Sequence, residues 1–260
     1  MIRLSANIGF LWPDRPLLDR IDAAAAAGFK AIELHWPYNV KAAAVRARCE
    51  AHGLTLLGIN TVRGDVDKGE FGLGAVVGRE AEFQASVDQA IAYCAEAGGS
   101  AVHCMAGKVS ADEKAAARDV LIGNLREASA KAESHGLTML IEPINQRDAP
   151  GYFYSTIADG AAIVRAVARG NVRILFDCYH VAMSGGDVVG DLAAFLPLIG
   201  HVQVASVPDR AEPDEGRLDC AELFEAFFRV GYDGWVGAEY KPRDDTDAGL
   251  RWVATAGAAF

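Results

Sequence analysis

The chain has 260 residues, 51% hydrophobic and 23% charged, a composition that can bury a substantial core and is unlike that of a disordered segment. Its net charge of −10, without a basic stripe, argues against a nucleic-acid surface, which needs clustered Lys and Arg. Five scattered cysteines (Cys49, Cys94, Cys104, Cys178 and Cys220) with no Cys-x-x-Cys pair read as buried thiols rather than a disulfide framework or a zinc knuckle.

In chain order, apolar runs of strand length are predicted at 4–8, 31–34, 55–59, 101–105, 138–141, 174–176, 201–204 and 235–238. Between them, Ala-rich stretches at 17–27, 40–51, 81–97, 112–134, 157–168 and 221–229 carry apolar residues at three- and four-residue intervals, the spacing of amphipathic helices. Gly28, Gly53, Gly98, Gly136, Gly170 and Gly231 follow these helices, where a left-handed C-cap is expected. A segment beginning at His52 and one beginning at His135 open alike (His-Gly-Leu-Thr) and both reach Asn after an apolar strand, at Asn60 and Asn145, like equivalent steps of one wheel. Eight alternations without a linker or a G-x-G-x-x-G turn favour an α/β fold of one (β/α)₈ TIM barrel over residues 1–260 rather than a doubly wound sheet. The start of the chain lacks the pattern of a secretory leader and no run is long enough to span a bilayer, so a cytoplasmic protein is expected.

A barrel collects chemistry at the C-terminal ends of its strands. The stretch around Glu142 shows how: Leu137 to Ile141 suit a buried strand, and Pro143, unable to donate to a sheet, closes it just past the acid. The other strand ends carry Asn7, Glu33 with His35, Asn60, His103, Asn145, Asp177 with His180, Gln203 and Glu239. Glu142, Asp177, Gln203 and Glu239 end four successive strands, and three carboxylates converging on one axis would repel unless a cation sat between them. Oxygen donors suit Mg²⁺ or Mn²⁺ better than zinc, although a lattice of salt bridges to Arg173, Arg210 or Lys241 would serve the same balance. His180 lies within reach of a substrate oxygen or of the metal's surroundings, and Arg210, in the loop after the seventh strand, could hold a substrate carboxylate. Trp36, Tyr38, Phe71 and Tyr152 could line the pocket or a subunit contact, with ordinary packing the expected role.

Read together, Ser5-Ala-Asn-Ile, Glu33-Leu-His-Trp-Pro-Tyr, Ile141-Glu-Pro-Ile-Asn, Phe176-Asp-Cys-Tyr-His, His201-Val-Gln-Val-Ala-Ser-Val-Pro-Asp-Arg and Gly237-Ala-Glu-Tyr-Lys-Pro resemble the hydroxypyruvate isomerase family, within the xylose isomerase-like TIM-barrel superfamily and close to the 2-oxo-tetronate isomerases. The resemblance runs almost end to end. It implies metal ligands at Glu142, Asp177, Gln203 and Glu239, proton transfer by Glu142 and Glu239, and substrate contacts from His180 and Arg210. Gln203, where ketose 3-epimerases typically carry His, counts against epimerisation of a free hexulose. The implied reaction moves hydroxypyruvate to 2-hydroxy-3-oxopropanoate through an enediolate, with a four-carbon 2-oxo-tetronate as the alternative substrate. Two other classes are weighed beside it: a zinc phosphodiesterase, disfavoured by the scattered histidines and acidic charge, and a non-catalytic sugar-acid sensor, disfavoured by the paired glutamates. The expected partner is thus a small hydroxy-oxo acid, with neither nucleic acid nor membrane, and the oligomeric state is open, a homo-oligomer included.

Overall fold

The computed structural model describes residues 2–256 and 258. Eight parallel strands, β1 (Arg3–Asn7), β2 (Ala31–Glu33), β3 (Thr55–Asn60), β4 (Ala101–His103), β5 (Thr138–Ile141), β6 (Val172–Asp177), β7 (Ile199–Val204) and β8 (Trp235–Ala238), close into a barrel in sequence order. The ring is sealed where β8 returns to β1, with Leu4 opposite Val236 and Ser5 opposite Gly237. Such strands are covered on both faces, which is why they read as near-continuous apolar runs rather than alternating ones.

Around the barrel run α1 (Leu17–Ala26), α2 (Ala42–His52), α3 (Glu80–Ala97), α4 (Lys114–Glu133), α5 (Ile157–Val167), α6 (Cys178–Met183), α7 (Val188–Phe195), α8 (Cys220–Arg229), α9 (Thr246–Gly249) and α10 (Trp252–Thr255). Each long helix turns one stripe inward: Phe83, Val87, Ile91 and Cys94 from α3, Leu121 and Leu125 from α4, and Leu223, Phe224 and Phe227 from α8 join the main core. Burying a side chain such as Phe227 contributes roughly 1.5–3 kcal/mol through its removal from water. All five cysteines are buried and unpaired in disulfides, as expected. Among the described residues no helix is long and apolar enough to cross a membrane.

Three details depart from the sequence reading. β4 stops at His103, because Met105 turns its amide to the Thr61 hydroxyl rather than to a neighbouring strand. The helices α6, α7, α9 and α10 were not predicted; each has four to eight residues, too few to show a period. The cap expected at Gly170 falls instead on Ala168, which takes φ 55° at the end of α5, whereas Gly53 and Gly98 take the left-handed cap as expected.

The barrel interior is lined separately, by Ala101, Leu140 and Leu175. With Gly58 and Gly200 adding little bulk, they leave a cavity of about 540 Å³ that reaches from Thr138, Ile199 and Trp235, at the strands' N-terminal ends, up to Glu142 and Glu239.

Candidate active site

The strand-end acids meet above this cavity. Glu142 follows β5, Asp177 ends β6, Gln203 lies on β7 opposite Asp177, and Glu239 follows β8; all four are buried. Asp177 also caps α6, its Oδ1 accepting from the Tyr179 amide at 2.8 Å, so Oδ2 is the oxygen left to face the site. Glu239 is tied at both oxygens: Asn7 Nδ2 donates to Oε1 at 3.1 Å, His35 Nε2 lies 2.9 Å from the same atom, and Arg210 donates to Oε2 at 2.8 Å. Glu142 is looser. Its nearest charged or imidazole groups are His103 Nδ1 and His180 Nε2, each at 3.6 Å, and its Oε1 has no hydrogen-bond partner.

Arg210 is held in an unusual way. Its backbone is left-handed (φ 54°), Lys241 donates to its carbonyl at 2.8 Å, and its guanidinium lies 5.1 Å from the ring centroids of both Phe10 and Tyr179. The same nitrogen that bonds Glu239 also donates to Asp177 Oδ2 at 3.2 Å. The arginine expected to meet a substrate carboxylate is therefore engaged with two protein carboxylates, while its Nε stays buried and without a partner. Of the other cations weighed as salt-bridge partners, Arg173 spends its guanidinium on the carbonyls of Gly170 and Pro197.

These environments push the acids apart. Burial, with the charges of Glu239 and Asp177, drives the Glu142 carboxyl well above its usual range, and burial raises Asp177 to about 7 against the pull of Arg210. Burial also penalises a charged Glu239, but Arg210 and His35 outweigh it and hold that acid at about 2. The split between the two acids that share Arg210 follows the shorter contact, which is to Glu239. Burial lowers His103 to about 4; burial and then Arg210 press His180 well below its ordinary value, so both imidazoles are neutral.

The tautomer of His180 can be read from its neighbours. Asn145 Oδ1 accepts from the amides of Arg147 (3.1 Å) and Asp148 (2.9 Å), which fixes the orientation of its side-chain amide. Nδ2 must then point at His180 Nδ1, 2.6 Å away, and the Asn145 backbone amide aims at the same nitrogen. Nδ1 accepts, so Nε2 carries the hydrogen. One oxygen each of Glu142 and Asp177 and one ring nitrogen of His180 lie within 4.8 Å of one another, a group that could hold a metal ion. A protonated Nε2 has no lone pair for a metal, however, which leaves the two acids as the group's free donors.

Against known proteins, the family described as xylose isomerase-like TIM barrel matches residues 21–256. The chain belongs to that family. Within the xylose isomerase-like barrels, a 2-oxo-tetronate isomerase of Cupriavidus necator is 45% identical over 254 residues, spanning 97% of this chain and 98% of that one. A putative hydroxypyruvate isomerase of Mus musculus is 44% identical over 260 residues, spanning 97% of this chain and 94% of that one. A solved structure described as an AP endonuclease, family 2, from Brucella melitensis has the same fold, with a TM-score of 0.95 at 39% identity over 98% of this chain and 99% of that one.

Xylose isomerase-like barrels often use divalent metals, and the donor set here suits one. Asp177 and Glu239 share one guanidinium and Glu142 is buried beside them, so ionising all three would leave an excess of negative charge that one divalent cation balances. Glu142 Oε1 and Gln203 Oε1 are buried oxygens with no hydrogen-bond partner, which a hard cation would satisfy. The sequence reading named Asn7, His35 and His103 as strand-end residues without giving them a task. Their contacts with Glu239 and Glu142 supply one, and only side-chain geometry could have shown it.

Proposed function

We propose that this chain is a metal-assisted isomerase of small hydroxy-oxo acids, interconverting hydroxypyruvate and 2-hydroxy-3-oxopropanoate. The observation that carries this reading is the pair Glu142 and Glu239, just past the ends of β5 and β8, with an unpartnered oxygen on Glu142 and another on Gln203, which line the same cavity. Both curated relatives are named isomerases, which supports the reaction class. A second reading, a four-carbon 2-oxo-tetronate as substrate, is supported by the 45% identical relative; an identity of 44% to the other leaves chain length to experiment.

Glu142, Asp177, Gln203 and Glu239 would hold Mg²⁺ or Mn²⁺, which, when bound, supplies positive charge to two adjacent substrate oxygens as an enediolate develops. The protein's own groups do the rest. One carboxylate takes a proton from the hydroxyl-bearing carbon, the hydroxyl proton passes to the former carbonyl oxygen, and a proton is delivered to the neighbouring carbon. Substrate and product have the same atoms, so no external reductant enters. Glu142 has an oxygen without a partner, and Glu239 is fixed in a set position by Asn7, His35 and Arg210; because burial favours the protonated form of Glu142, a cation at the site would be what leaves it free to accept a carbon-bound proton. His180 Nε2–H donates to a substrate oxygen, and the unpartnered Nε of Arg210 is available to the substrate carboxylate. The cell compartment that fits such a metabolic enzyme is the cytoplasm.

The test is NMR in heavy water on metal-stripped protein, with hydroxypyruvate and with a 2-oxo-tetronate, before and after adding Mg²⁺ or Mn²⁺. Metal-dependent exchange and isomerisation are expected, and the ratio of the two rates names the substrate. Glu142→Gln should lower turnover by about 10²–10⁴-fold with the circular dichroism spectrum unchanged; near-normal turnover in that variant refutes its role.

A further inference from the structure

We infer that Glu33, on β2, is a positioning residue that fixes the side-chain amide of Gln203 so that its oxygen, not its nitrogen, faces the metal site. The inference rests on the metal-assisted reading above and adds a residue to it.

An amide has two nearly superimposable ends, of which only the oxygen can ligate a cation. Something must choose between them. Gln203 Nε2 donates to Glu33 Oε2 at 2.7 Å, and both groups are buried. A carboxylate accepts and does not donate, so the flipped amide would set oxygen against oxygen there and put its N–H where Oε1 now lies. The observed orientation leaves Gln203 Oε1 buried and without a partner.

Glu33 is itself held: Ser5 Oγ donates to its Oε1 at 2.5 Å and Asn7 Nδ2 donates to Oε2 at 3.5 Å, while His201 Nε2 lies 2.9 Å from Oε1 without hydrogen-bond geometry. No Lys or Arg is among these contacts, and the short hydrogen bonds to the carboxylate come from Ser5 and Gln203. Its reach is made by a missing side chain. Gly237 lies opposite both Ser5 and Gln203 in the barrel register, and a Cβ there would fall 2.3 Å from Glu33 Oε1 and 2.8 Å from Gln203 Cγ. Glu33 therefore crosses the interior from β2 to β7 through a gap that only glycine leaves.

The test is Mn²⁺ affinity, read by the free-ion signal in electron paramagnetic resonance on purified, metal-stripped protein. Gln203→Ala should weaken binding. Glu33→Met, which keeps the length and removes the acceptor, should weaken it by about 10–100-fold, the range for groups that orient a ligand. In the Gln203→Ala background Glu33→Met should add almost nothing, because there is no amide left to orient. The exchange Glu33→Gln with Gln203→Glu keeps the hydrogen bond with donor and acceptor reversed, keeps the charge, and again leaves an oxygen for the metal; it should restore affinity, and it carries the test if Glu33→Met alone does not fold. Parent-like affinity in Glu33→Met beside a weakened Gln203→Ala overturns the positioning role alone, as does an equal loss in both backgrounds or an exchange that fails to restore binding. Parent-like affinity in Gln203→Ala overturns the ligand assignment beneath it.

Discussion

Arg210→Met separates two functions of one positive charge: holding the folded barrel together and sharing the site with a metal. Methionine keeps the apolar stem between Phe10 and Tyr179 and removes the guanidinium that lies 2.8 Å from Glu239 and 3.2 Å from Asp177. At an effective dielectric of about 20, each contact has a gross attraction of about 5 kcal/mol, much of which offsets the burial of the charges themselves. Removing one partner of a buried ion pair typically costs about 3–5 kcal/mol, because the remaining charge is left uncompensated. Two acids are left here, so urea unfolding with a chelator present should show a loss of about 3–5 kcal/mol. With saturating Mn²⁺ the loss should be smaller, since the cation then supplies charge between the same carboxylates. An equal loss with chelator and with Mn²⁺, or a loss below about 1 kcal/mol with chelator, of the size expected for an exposed pair, would refute the reasoning.

Two further outcomes follow from the same structure. Free Mn²⁺ at about a hundred times its dissociation constant should stabilise the parent protein by about 2.7 kcal/mol and raise its melting temperature by about 5–10 °C, measured by calorimetry; no shift would remove the metal from the site. Ala168→Gly should relieve the left-handed cap of α5 (φ 55°) and stabilise the fold by about 1 kcal/mol, read as a higher urea midpoint, and a loss of stability would show the cap to be unstrained.

How far the sequence reached can be judged from particular residues. The barrel was legible because each strand is covered on both faces and each long helix on one, so apolar runs and three-to-four spacings survive in the chain whatever the loops do. Glu142 was legible because Pro143 marks where its strand must stop. The tie from Glu33 to Gln203 was not. The two residues are 170 positions apart and meet only because Gly237 makes no side chain between them, a fact of closure and register rather than of local pattern. The engagement of Arg210 was hidden for a similar reason: in the sequence it stands beside Asp209 and Glu212, yet its left-handed backbone turns it to Asp177 and Glu239.

That arginine also bears on motion. Its side chain belongs to the loop after β7, stacks on Phe10 from the loop after β1 and on Tyr179 from α6, and its backbone carbonyl accepts from Lys241 after β8. Phe10, Tyr179 and the backbone amide of Lys241, from the segments after β1, β6 and β8, all hold Arg210, so none of these segments swings clear without breaking a contact to it. Any opening of the top of the barrel should therefore be concerted, with probes on these segments expected to report one rate constant.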